Sequence, residues 1–191
     1  MEALKNRIIR DGLALGSESV KVDSFLNHQL DVAFLERLGE EFRRRFDGER
    51  IDKIMTVESS GIAVACMTAR HFGYPPVVFA KKSLPSTLTE GYYAAQVRSF
   101  TRGLVSVIVI SKKYLASGEN VLIIDDFVAH GEAAAGMTEL VSQAGARVAG
   151  VGCVIEKTFQ GGGKRLRDAG YRVEALASIV RISDGKIIFS T

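Results

Sequence analysis

Four consecutive large aliphatic residues, Val121-Leu122-Ile123-Ile124, run straight into two adjacent carboxylates, Asp125-Asp126. A half-exposed strand alternates apolar with polar side chains, because successive residues point to opposite faces. An unbroken apolar run instead reads as a strand buried on both sides of a parallel sheet. The acids then stand at its carboxyl end, and the residues from Phe127 to Ala134 lead into a helix. Open parallel sheets bind ligands at that end. Two carboxylates there can accept hydrogen bonds from the vicinal hydroxyls of a ribose. The backbone N–H groups of Ala129 to Ala134 can converge on a phosphate, helped by the helix dipole. Each hydrogen bond to a charged phosphate contributes about 1.5–3 kcal/mol. The rival account, in which Asp125 and Asp126 only cap a turn, does not explain two acids after a fully apolar strand. Other nucleotide motifs fail. A Walker A loop ending at Gly163-Lys164 would need glycine where Thr158 sits and Ser or Thr where Arg165 sits. Gly150-Val151-Gly152 lies inside an apolar strand rather than at the start of a helix.

The rest of the chain supplies a frame for such a strand. Leu4, Ile8 and Ile9 share one face of a helix over 2–10, ended by Gly12, and both cysteines, Cys66 and Cys153, fall in apolar runs where buried, reduced thiols are expected. Asp31 can cap a second helix with Leu35, Leu38, Phe42 and Phe46 at helical spacing. Arg43-Arg44-Arg45 in its last turn suit the helix dipole better than nucleic acid. Strands are expected at 53–57, 77–80, 121–124 and 147–155, with helices at 61–71 and 132–143, a short helix to Ala169 and terminal strands. Runs at 95–100 and 104–110, joined by Arg102-Gly103, read as a hairpin. Alternating strands and helices predict an α/β chain with a doubly wound parallel sheet, so the loops at 58–61, 81–94 and 125–133 become the places to look. Composition adds exclusions. With 25 basic and 22 acidic residues the formal charge is +3, too mild for a nucleic-acid surface. The opening Met1-Glu2-Ala3-Leu4-Lys5 lacks a signal-peptide core, and no apolar run is long enough to cross a membrane, so a cytoplasmic protein with no membrane partner is expected.

The apolar strand, the Asp-Asp pair and the small-residue loop together resemble the phosphoribosyl-pyrophosphate (PRPP) motif of type I phosphoribosyltransferases. Further stretches resemble members of that family that act on xanthine. These are Lys21-Val22-Asp23-Ser24-Phe25-Leu26-Asn27-His28-Gln29, which resembles the base-binding hood, Glu58-Ser59-Ser60-Gly61-Ile62, Val78-Phe79-Ala80-Lys81-Lys82 and Val154-Ile155-Glu156-Lys157-Thr158-Phe159. The likeness covers nearly the whole chain in the expected order. It implies the type I phosphoribosyltransferase fold in a single domain over 1–191, a mainly parallel twisted sheet flanked by helices. A core over 50–158 would carry a hood formed by 1–35 and the C-terminal segment, and a flexible β-hairpin lid.

The resemblance also implies chemistry: a purine salvage reaction in which xanthine displaces pyrophosphate from PRPP. Asp125 and Asp126 would be the catalytic carboxylates, and Ala129, His130, Gly131, Glu132 and Ala133 would bind PRPP. Ser59, Ser60 and Gly61 would present backbone N–H groups to the pyrophosphate, with Lys81 beside them, and Ser83 to Tyr92 would close as a lid. Val20, Asn27 and Lys157 would hold the base. Asn27 offers a donor and an acceptor to the 2-oxo edge, and Lys157 would favour the anionic form of an acidic purine. Mg²⁺ would be bound mainly through PRPP and pyrophosphate rather than by a protein cage, and the enzyme would be a homodimer. Plainer accounts exist for each: a loop-capping Asn27, surface Lys81 and Lys157, an ordinary loop at 83–92. Other purine phosphoribosyltransferases, for guanine, hypoxanthine or adenine, share the PRPP half. A PRPP-sensing regulator without catalysis would need a DNA-binding module, for which the first fifty residues leave no room beside a hood. One departure stands out. The family commonly has Thr-Gly-x-Thr where this chain has His130-Gly131-Glu132-Ala133. Hydroxyl donors are lost there, and Glu132 adds a negative charge near a phosphate that a protonated His130 could offset.

Overall fold

The computed structural model describes residues 1–83, 91–98 and 105–190. Helix α1 (Glu2–Asp11) leads into a small antiparallel hairpin, β1 (Leu13–Leu15) and β2 (Ser19–Lys21), then a π-helical turn over Asp23–Asn27 and helix α2 (Val32–Arg45). The core alternates β3 (Lys53–Val57), α3 (Gly61–His71) and β4 (Val77–Ala80). A separate hairpin of β5 (Tyr92–Arg98) and β6 (Val105–Ser111) comes next, then β7 (Asn120–Val128), α4 (Glu132–Gln143), β8 (Arg147–Lys157), α5 (Gly162–Asp168), β9 (Val173–Ser183) and β10 (Lys186–Phe189). The main sheet has the order β10-β9-β8-β7-β3-β4 and is parallel except for the β10–β9 pair.

The expected doubly wound arrangement is explained by the side chains of β7. Leu122 and Ile124 pack on one face, with Leu35, Leu38 and Phe42 of α2 and Val64 and Ala65 of α3. Val121 and Ile123 pack on the other, with Met137, Leu140 and Val141 of α4. The apolar run is continuous because both faces are covered. Asp31 caps α2 as its position suggests, its Oδ1 accepting from Phe34 N at 3.1 Å.

Several boundaries and burials differ from the sequence reading. β7 extends through both aspartates to Val128, and β8 continues to Lys157. Backbone pairing between Asp125 and Cys153 and between Val128 and Glu156 keeps the chain extended past the charged residues. Ile9 is 63% exposed although Leu4 and Ile8 are buried, because it lies one residue off their shared stripe. Cys153 is buried, but Cys66 lies on the outward face of α3 and is exposed. The described parts of the expected hairpin, 95–98 and 105–110, pair as antiparallel strands, and β5 starts earlier than expected, at Tyr92. Its Arg102-Gly103 joint and the 84–90 part of the expected lid lie outside the described residues. Among the described residues, no helix is long and apolar enough to cross a membrane.

Candidate functional site

The strand order reverses between β3 and β7: the chain proceeds from β3 outward to β4, and from β7 outward the opposite way to β8 and β9. A crevice opens at such a switch point, past the carboxyl ends of the two strands. Asp125 and Asp126 sit there on β7, only 5% and 8% exposed. Asp125 Oδ1 accepts from Asp126 N at 2.9 Å, and Asp126 Oδ1 accepts from Phe127 N at 3.0 Å. Burial pushes the Asp125 carboxyl well above the usual carboxylate range, and the charge and hydrogen bonding of Asp126 add to the rise. The Asp126 N–H and the Lys82 ammonium pull only partly the other way.

The turn after β3 closes against this pair. Gly61, the first residue of α3, lies so near that a Cβ there would collide with Thr56 Oγ1 and crowd Asp125 Oδ1 at 3.2 Å, so only glycine lets the turn approach. Ser59 and Ser60 lie in the same turn, and the Glu58–Ser59 peptide is cis. No side chain caps the N-terminus of α3. The strand-end loop of β4 reaches the turn through Lys82, whose N–H donates to Glu58 Oε1 at 2.6 Å. Lys81 is exposed and ties its own main chain to Val109 of β6 at 2.9 Å in both directions, so the hairpin is hinged on the rim of the site.

On the far side, Ala129 and His130 lead to Gly131, whose φ of 78° is readily adopted by glycine and which starts α4 without a capping side chain. The first N–H groups of a helix lack intrahelical partners, so Glu132 and Ala133 open onto a site suited to an anion. This loop is backed by α5: Gly162 N donates to Ala129 O at 3.0 Å, and a Cβ on Gly162 would strike the backbone of Ala129, His130 and Gly131. The cation beside Glu132 is Arg165, with Nη2–Oε1 at 3.3 Å, and the same nitrogen donates to the His130 carbonyl.

The segment ahead of α2 meets the carboxylate pair through Asn27. Its side chain is exposed, and Nδ2 donates to Asp126 Oδ2 at 3.4 Å across 99 residues of sequence. Lys157, at the end of β8, is half-buried and donates from Nζ to the Glu18 carbonyl at 2.8 Å, in the turn of the β1–β2 hairpin. Burial lowers the Lys157 pKa. Val20, on β2, is partly buried against the core that also holds Phe25 and Leu26. The structure therefore gathers Asn27, Gly61, Asp125 and Asp126 directly, and places Val20 on the β1–β2 hairpin and Lys157 against its turn. Lys82, Gly162 and Arg165 were not singled out from sequence. Lys82 had a signal in its neighbour Lys81, whereas nothing in the order of residues links Arg165 to a loop more than thirty positions earlier.

Comparison with known proteins agrees with this geometry. Residues 21–178 match the model of the phosphoribosyl transferase domain. The chain is 50% identical to xanthine phosphoribosyltransferase 1 of Clostridium perfringens, over 99% of this chain and 100% of that one. It is 51% identical to xanthine phosphoribosyltransferase of Moorella thermoacetica, over 99% and 96%. Among solved structures it is similar to adenine phosphoribosyltransferase of Rhodothermus marinus, with a TM-score of 0.67, 28% identity and coverage of 76% and 79%. The fold alone is shared with the adenine phosphoribosyltransferase of Leishmania donovani, with a TM-score of 0.72 at 16% identity, over 92% and 80%.

Proposed function

The chain belongs to the phosphoribosyl transferase family, and from that membership we propose that it moves the 5-phosphoribosyl group of PRPP onto xanthine, giving xanthosine 5′-monophosphate and pyrophosphate. A bond forms between a purine nitrogen and ribose C1 as the bond from C1 to the pyrophosphate oxygen breaks. Positive charge builds on the ribose in the manner of glycoside cleavage, so the sugar must be held and water kept away. Asp125 and Asp126 hold the ribose hydroxyls. The loop Ala129–Ala133 takes the 5′-phosphate. Ser59, Ser60 and Gly61 face the pyrophosphate with Lys81 and Lys82 nearby.

The observation that carries the reading is the Asn27–Asp126 hydrogen bond, because it brings a donor and acceptor suited to a purine edge onto the ribose carboxylates. Burial leaves the Lys157 ammonium poorly solvated and lowers its pKa, and an anionic base beside it would favour the charged form again. Mg²⁺ would be held mainly by the oxygens of PRPP, pyrophosphate and water, which suits a site that shows no cluster of three or more His, Cys, Asp or Glu among the described residues. When bound, it offsets charge on the departing pyrophosphate. Residues 1–35 and the C-terminal segment act as the hood over the core, in a homodimeric, cytoplasmic enzyme. Pyrophosphate release with PRPP and Mg²⁺ and each of xanthine, hypoxanthine, guanine and adenine tests the reading. We expect kcat/KM for xanthine to exceed the others by at least about 10²-fold, as a site built on the 2-oxo group implies. A higher value for another purine overturns the base assignment. No release with any purine overturns catalysis and favours a PRPP sensor.

A further inference from the structure

Glu132 is the first residue of α4, in the loop assigned above to the 5′-phosphate. A carboxylate in that position is compatible with the helix dipole while no ligand is present. Beside a bound phosphate it repels the ligand, and the loop has lost the hydroxyl donors that would compensate. Arg165 stands against it. A single guanidinium nitrogen, Nη2, contacts Glu132 Oε1 at 3.3 Å and donates to the carbonyl of His130. Arg165 comes from α5, which is packed onto the loop through Gly162, so the backbone that carries the guanidinium is held against the phosphate loop. The two side chains are 54% and 34% exposed. Ion pairs in such surroundings add little to stability, so the consequence of this one lies in the local field at the N-terminus of α4.

We propose that Arg165 is a positioning residue for PRPP: it cancels the charge of Glu132 and so makes a phosphate loop with a carboxylate in it able to bind a phosphorylated sugar. The proposal rests on the reading of 129–133 as the 5′-phosphate loop. Glu132 and Arg165 then work as one unit, and losing the cation alone is worse than losing both charges.

A double-mutant cycle tests this with steady-state kinetics on the full chain. Arg165→Ala should raise KM for PRPP about tenfold, the scale of an unbalanced like charge beside a bound anion, with kcat and KM for xanthine within about twofold of the parent. Adding Glu132→Gln to Arg165→Ala should return KM for PRPP to within about threefold of the parent. The Arg165→Ala defect should also shrink as salt rises from about 0.05 to 0.5 M, because exposed charges are screened. Removal of the hydrogen bond to His130 would by itself produce neither the recovery nor the salt dependence. Unchanged KM for PRPP in Arg165→Ala, or a defect that Glu132→Gln does not relieve, overturns the proposal while leaving the enzymatic reading intact. If the parent itself releases no pyrophosphate, the enzymatic reading falls first and this inference with it. Melting temperatures of all four proteins separate a folding failure from a binding defect, and the double variant is scored even if Arg165→Ala is unstable.

Discussion

A carboxylate that is 5% exposed and faces a second carboxylate is costly to ionise, yet ribose hydroxyls are held best by a charged acceptor. In its proposed role at the ribose, Asp125 therefore places the demands of folding and of binding in opposition. Its folded pKa is raised, first by burial and then by Asp126. Between the ordinary unfolded value near 3.8 and that raised value, the folded chain binds more protons than the unfolded one. The contribution to stability is full below the unfolded value and is lost as pH rises through the folded one. Asp125→Asn keeps an oxygen for the Asp126 N–H and removes the titration. We predict that this variant melts at least about 2 °C higher than the parent at pH 8, the shift that ~1 kcal/mol produces in a chain of this size. The advantage should fade toward pH 4, while turnover with PRPP and xanthine drops by at least about 10²-fold. Scanning calorimetry across that range, with pyrophosphate release alongside, checks both; a variant that melts below the parent at pH 8 sinks the account. Asp125 and Asp126 were legible because they stand at the end of an unbroken apolar strand. Arg165 was not, since its meaning depends on α5 packing against a loop distant in sequence.

Helix α2 shows how a single element is held by groups that sequence places correctly but cannot join. Glu41 accepts from Arg44 at 2.9 and 2.7 Å and from Arg45 Nε at 2.9 Å, and Arg45 Nη1 goes on to the Ala175 carbonyl of β9 at 2.7 Å. Of the arginines that read as partners of the helix dipole, Arg45 thus also docks the helix end onto the sheet. Arg44, then Arg45, hold the Glu41 carboxyl down from 4.5 to about 2. A depressed folded pKa contributes stability above the unfolded value, and that contribution is lost as pH falls through about 2. Arg44 is largely exposed, so solvent limits the effect. We predict that Glu41→Gln costs about 0.5–1 kcal/mol at pH 7, read as a fall in melting temperature of roughly 1–4 °C, with the gap closing between pH 4.5 and 2. An equal gap at pH 7 and pH 2 would mean that Glu41 acts through packing rather than charge. The same contrast between local pattern and tertiary context explains the elements read short. Charged residues normally argue for the end of a strand, yet the ladder to β8 carries β7 to Val128. The β1–β2 hairpin has only three residues in each strand, too few for a period to register, and its tether to Lys157 is set by β8.

At the scale of the whole molecule, the site depends on the chain's two ends being tied to its middle. The Met1 ammonium donates to Leu176 O at 2.5 Å, Lys5 Nζ to Ser190 O at 2.7 Å, and Arg7 pairs with Asp31 at 2.8 Å, so the first thirty residues lie against β9 and the C-terminal segment. The same N-terminal segment is tied to the core twice more, by Lys157 to the Glu18 carbonyl and by Asn27 to Asp126 at the carboxylate pair. In the proposed reading, base selection and sugar-phosphate binding fall to different parts of the chain, which meet at the hydrogen bond from Asn27 to Asp126. Substitution in the hood should change which purine is used and spare PRPP. A site that pairs with a 2-oxo group rejects a purine lacking it by up to about 10⁴-fold, because its polar groups are left unpaired; removing the pairing group forfeits that rejection. For Asn27→Ala we predict that the xanthine-to-hypoxanthine ratio of kcat/KM falls by about 10- to 100-fold, mostly through poorer use of xanthine. KM for PRPP should move by no more than about threefold, since the hydrogen bond from Asn27 to Asp126 is long, at 3.4 Å, and Asp126 keeps its bond from Phe127. An unchanged base ratio would remove Asn27 from the base site. A collapse of PRPP binding with base preference intact would recast it as a support for the carboxylates, and the hood as a part of the sugar site.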